Sequence, residues 1–142
     1  MGSTSSGKKP TKKRGPKKKK YFKNYISWFE IPAINFQQAV DFYNHIYDFE
    51  MEVTANNEYT MAFFPAEKGV GGAIVSGPGS VPNEKGALLY LNGGDDLNEM
   101  LERVGEAGGR VIMPKTLISE DAGFFAIFID TEGNKLALHS NK

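Results

Sequence analysis

Trp28-Phe29-Glu30-Ile31-Pro32 closes an alternating stretch that begins at Tyr25 and reads as a strand. Phe29 and Ile31 fall on one face, and Trp28, Glu30 and Pro32 on the other. Pro32 suits a strand end, because it has no N–H to give to a ladder. Directly after it, Asn35 with Gln38 three positions on has the form of a capping box. Phe36, Ala39, Val40, Tyr43, Ile46 and Tyr47 then recur at helical spacing, which predicts a helix of about three turns with an apolar stripe for a sheet. Strands are predicted over Phe49–Val53, Tyr59–Phe64 and Gly72–Val75. Asn56-Asn57 and the glycine-rich run Lys68–Gly72 are the turns between them. The glycine run lacks the Gly-Lys-Ser/Thr ending of a phosphate loop and opens no helix. These elements make one strand–helix–strand–strand–strand unit over residues 24–77.

The same order then returns. Gly77-Pro78-Gly79-Ser80-Val81-Pro82 has linker composition. Over residues 86–142, Ala87–Leu91 is an apolar strand, and Asp96 with Glu99 repeats the capping pattern. Leu97, Met100, Leu101 and Val104 form the stripe of a second helix, which Gly108-Gly109 stops. Val111–Met113, Phe124–Ile129 and Lys135–His139 are the remaining strands, the last two joined by the turn Asp130-Thr131-Glu132-Gly133-Asn134. A duplicated supersecondary unit predicts an α+β fold: two βαβββ modules whose curved, mixed sheet surrounds a cavity. Trp28 and Glu30 from the opening strand and Ala137 and His139 from the closing strand would line it.

Composition narrows the class. The chain has 142 residues and 40% hydrophobic content, enough for one domain with a real core. It has no cysteine, hence neither disulfides nor a thiolate metal site. No apolar run approaches the ~20 residues of a membrane span. The basic start is not followed by an apolar signal-peptide stretch. A cytoplasmic location is the expectation.

The balanced formal charge conceals two unlike parts. Nine of the 17 Lys and Arg lie in residues 1–20, which hold no acid, leaving eight to face all 17 Asp and Glu in the rest. Residues 1–23 are expected to be a disordered basic tail, because like charges repel and nothing there can be buried. It reads as a solvated tail or an expression leader. Its functional reading is an arm for nucleic acid or another anionic surface. The domain proper is residues 24–142.

The paired units, Phe29-Glu30-Ile31-Pro32 with Asp41-Phe42-Tyr43 on its helix, and the closing Asp130-Thr131-Glu132-Gly133-Asn134 resemble the vicinal oxygen chelate superfamily. That group includes glyoxalase I, bleomycin-resistance proteins, fosfomycin-resistance enzymes and extradiol dioxygenases. The resemblance covers residues 24–142 and is closest to its small glyoxalase-like members. It implies a homodimer and a small-molecule ligand. It also implies one divalent metal, held by strand residues at Trp28, near Ala73, near Leu88 or Leu89, and at Ala137. None of these side chains ligates a metal, so no metal or other cofactor is expected.

Two readings of function follow. In the first, the chain is a metal-independent lyase or isomerase, with Glu30 and His139 as general base and acid one rung beyond the lost ligand positions. The plainer alternative for both is a hydrogen-bonded glutamate and a histidine that ends the sheet. In the second, the chain sequesters a small molecule, as bleomycin-resistance proteins do, with Trp28, Tyr59, Met61, Tyr90, Asn92 and Phe125 as its contacts. Core packing competes for the aromatics, and a turn role for Asn92. His45 reads as a solvent-facing residue, and Asp130 and Asn134 as shapers of their turn.

Overall fold

The computed structural model describes residues 21–142; the rest of the basic tail, residues 1–20, lies outside the described residues. The elements follow in the order β1 (Trp28–Pro32), α1 (Phe36–Tyr47), β2 (Glu52–Ala55), β3 (Thr60–Phe63), β4 (Gly71–Ser76), β5 (Tyr90–Asn92), α2 (Leu97–Glu106), β6 (Arg110–Ser119), β7 (Gly123–Ile129) and β8 (Lys135–Ser140). They build two four-stranded mixed sheets, β1-β4-β3-β2 and β5-β8-β7-β6. In each, the first and last strands of the module run parallel and the other neighbours antiparallel. The fold is the duplicated α+β arrangement expected, with no closed barrel.

Both helices start where the sequence places their caps. Asn35 Oδ1 accepts from Gln38 N–H at 3.2 Å, and Asp96 Oδ1 accepts from Asn98 N–H at 2.9 Å. Three strands differ from expectation. Phe49 is drawn out of β2 into an aromatic cluster, stacked on Tyr47 at 5.2 Å and edge-on to Phe64 at 6.0 Å. β5 begins at Tyr90, although Ala137 N–H already donates to Leu89 O. β6 runs on through Pro114 to Ser119, which an outermost strand with register shifts tolerates.

The two modules share one core. Ile31, Phe42, Tyr43 and Ile46 of the first lie in one buried cluster with Leu97, Val104, Phe128 and Leu138 of the second. Phe42 stacks on Phe128 at 6.0 Å. This contact needs Gly109, where a Cβ would sit 2.7 Å from the Phe42 ring. Each fully buried aromatic of this kind contributes roughly 1.5–3 kcal/mol of burial free energy. Arg103 Nε–H also donates to Ile46 O at 3.0 Å, and His45 pairs with Glu106 at 3.0 Å. His45 therefore bridges the two helices, a pair exposed enough to contribute little.

The turn before β8 fastens the modules together. Asp130 is buried and accepts from Tyr43 O–H at 2.8 Å, from the Glu132 and Asn134 N–H groups at 2.8 and 2.9 Å, and from Asn134 Nδ2 at 3.2 Å. Asn134 Nδ2 also donates to Pro32 O at 2.8 Å, and its Oδ1 accepts from Asn83 N–H at 3.0 Å. Glu132 Oε1 takes the Ile34 and Asn35 N–H groups, both at 2.7 Å, placing a carboxylate at the positive end of α1. Burial pushes the Tyr43 hydroxyl well above its ordinary pKa, and the Asp130 charge and hydrogen bond add to the effect.

Candidate functional site

Cross-strand partners share a face, so the register sorts the expected site residues. In the first sheet Glu30 lies opposite Ala73, which lies opposite Phe63, and Pro32, Val75 and Met61 form the next rung. Trp28, Glu30 and Met61 therefore occupy one face, opposite to that of Phe29, Ile31 and Ile74. In the second sheet Asn92 and Phe125 both lie opposite His139, while Tyr90 and Ile127 lie opposite Ala137. These again share a face, opposite to that of core residues Leu91, Ala126 and Leu138. The parity read from the sequence holds in both modules.

On these faces each of the two alanines has a pair of aromatic rings as neighbours. Trp28 and Phe63 lie 6.1 Å apart beside Ala73, and Tyr90 and Phe125 lie 6.2 Å apart beside Ala137; both alanines are fully buried. One ring of each pair is open to solvent, Trp28 at 45% and Tyr90 at 50% exposure. Tyr59 is less available, since its hydroxyl donates to Pro78 O at 2.9 Å.

The two acid–base candidates have different surroundings. Trp28 Nε1–H donates to Glu30 Oε2 at 3.3 Å, and Glu30 lines a crevice of 350 Å³ between β1, the 83–89 segment and the start of β8. His139 lines a separate cavity of 510 Å³ with Tyr90, Asn92 and Asn141. Its Nε2 lies 2.6 Å from Ala122 O. A carbonyl only accepts, so Nε2 carries the proton, and in the neutral ring Nδ1 holds the lone pair. Glu30 and His139 share no cavity in the single chain. Asn92 Oδ1 is taken by Gly94 N–H at 2.8 Å, and its carbonyl accepts from Tyr47 O–H at 2.7 Å. Burial raises the Tyr47 pKa above the ordinary phenol value.

A third cavity was not legible in the sequence. It measures 570 Å³ and lies between the modules, walled by Phe29, Tyr47, Phe49 and Phe64 on one side and Leu89–Asn92 on the other. Phe29 and Tyr47 sit where periodicity reads them as core, on the Ile31 face of β1 and in the apolar stripe of α1. The one hint was the excess of aromatics over what a short sheet needs.

Comparison with known proteins agrees with this architecture. A sequence model of the glyoxalase/bleomycin resistance protein/dioxygenase superfamily matches residues 25–138. The chain belongs to that superfamily. A glyoxylase-like domain-containing protein of Didymella fabae is 30% identical over 123 residues, covering 80% of this chain and 91% of that protein. Among solved structures, a glyoxalase I mutant from Zea mays superposes with a TM-score of 0.64 at 17% identity over 81% of this chain. The chain spans only 45% of the length of that maize protein. An antibiotic-binding protein from Streptomyces sp. CB03234 superposes with a TM-score of 0.53 at 24% identity, covering 84% of this chain and 97% of its own. These structural likenesses speak for the fold.

A divalent metal does not fit this superfamily member's side chains at the rungs the family resemblance points to. Ala73 and Ala137 offer methyl groups, and the residue facing Ala137 is Tyr90, not Leu88 or Leu89. Among the described residues no three His, Asp or Glu side chains converge. No helix among the described residues is long and apolar enough to cross a membrane.

Proposed function

We propose that this superfamily member is a small-molecule-binding protein that recognises its ligand through the helix-free faces of its two sheets. The carrying observation is the presence of buried alanines at the rungs where the family resemblance puts metal ligands, flanked on the same faces by the aromatic pairs Trp28–Phe63 and Tyr90–Phe125. Such surfaces suit a flat, largely apolar ligand held by stacking, with Asn92 and His139 supplying polar contacts. The antibiotic-binding neighbour supports this reading by analogy of fold. A homodimer is part of the proposal, because Met113, Leu117 and Ile118 of β6 are all exposed and apolar, and a second copy would cover them. Its location is proposed as cytoplasmic, in keeping with a cysteine-free chain.

The test uses Trp28, the only tryptophan, as reporter. A panel of planar aromatic compounds, with the bithiazole-bearing glycopeptide bleomycin beside them, is titrated while Trp28 emission is followed. Saturable quenching that Tyr90→Ala weakens about tenfold or more supports the reading; absence of saturable binding across the panel refutes it. Light scattering during gel filtration tests the dimer.

The second reading, metal-independent lyase or isomerase chemistry by Glu30 and His139, is favoured by one observation. The Ala122 carbonyl orients His139 with Nδ1 as the free base. Elemental mass spectrometry on dialysed protein tests the metal-independent part of both readings. Near-stoichiometric metal would sink it.

A further inference from the structure

The crevice beside Glu30 has chemistry that neither reading uses. It lies where the modules join, and its walls are pinned: Asn134 ties Pro32 to Asn83, Lys135 N–H donates to Asn83 O at 3.3 Å, and Lys85 N–H donates to Asn83 Oδ1 at 2.9 Å. Lys85 and Lys135 both line it, together with one carboxylate residue, Glu30. The only ion pair within 4.0 Å among the described residues is His45–Glu106, so neither lysine is neutralised there by an acid. Gly86 has a φ of +99°, a turn conformation that favours glycine. The Gly86 and Ala87 N–H groups have no acceptor among the described residues. Two lysines and two residues with free backbone N–H groups thus line one 350 Å³ space.

We propose that this crevice is a binding site for a small oxyanion, the phosphate or carboxylate group of a small molecule, held by Lys85, Lys135 and the Gly86 and Ala87 N–H groups. Glu30, which lines the same crevice, repels the anion and limits its affinity. The site stands whether or not Glu30 takes part in chemistry.

The experiment is a titration of the full chain with inorganic phosphate and, separately, acetate, followed by amide NMR shifts. Ionic strength is held constant with sodium chloride. That control and the site-resolved signal separate the crevice from the basic segment of residues 8–20. Saturable shifts of the Gly86 and Ala87 amides are expected, and the arm with the lower Kd identifies the preferred oxyanion. The double variant Lys85→Gln/Lys135→Gln is expected to raise the Kd about tenfold or more, the loss of charge-assisted hydrogen bonds. Glu30→Gln is expected to lower it, which a merely structural role for Glu30 would not produce. Shifts no larger than chloride gives, an unchanged Kd in the double variant, or weaker binding in Glu30→Gln would each overturn the proposal.

Discussion

Tyr43→Phe removes a single hydroxyl from the joint between the modules. The ring stays held by Phe42 at 4.8 Å and Phe64 at 5.6 Å, so packing changes little. The lost bond is buried, 2.8 Å long and made to a carboxylate, a class that contributes about 1.5–3 kcal/mol. Asp130 Oδ2 keeps only the longer 3.2 Å contact from Asn134 Nδ2, which places the expected loss near the top of that range. With a urea m-value of about 2 kcal/mol/M for a domain of this size, the unfolding midpoint falls by about 1.5 M. Urea unfolding followed by far-UV circular dichroism measures it. In an Asp130→Asn background the same change is expected to cost at least about 1 kcal/mol less, the signature of direct coupling. A midpoint shift below about 0.3 M, or equal losses in both backgrounds, would refute the account of Asp130 as the clasp of the joint.

Gly109→Ala forces a methyl to 2.7 Å from the Phe42 ring and 3.0 Å from Ile129 O, and should cost about 1–3 kcal/mol in the same assay. Glu132→Ala removes the acceptor for two N–H groups at the start of α1 and should cost about 1–2 kcal/mol, with Glu132→Gln keeping part of the stability. Tyr43 and Tyr47 both have raised pKa values in the folded chain. The unfolded chain therefore ionises first, and their contribution, complete below about pH 10, is lost above it by about 1.4 kcal/mol per pH unit for each tyrosine. Urea midpoints at alkaline pH should fall accordingly, and less steeply in Tyr43→Phe/Tyr47→Phe. For neutral His139, nitrogen NMR should find the proton on Nε2; a proton on Nδ1 would contradict its bond to Ala122 O.

Periodicity within each segment was enough to determine the duplicated modules, α1 over Phe36–Tyr47, the caps at Asn35 and Asp96, and the faces of Trp28, Glu30, Tyr90, Phe125 and His139. Those features depend on residues a few positions apart, so local geometry decides them. The tertiary structure alone decided what meets across distance. Glu132 caps a helix that begins far upstream in the chain, Gly109 yields to the Phe42 ring, and the Ala122 carbonyl orients His139. Phe29, Phe49 and Phe64 look like ordinary core residues by spacing, yet they wall a cavity, because a gap arises only where two modules fail to close on each other. Glu30 and His139 sit on the expected faces but in separate cavities. Side-chain parity is a property of one strand, whereas the distance between strands of different modules is set by how the shared core packs.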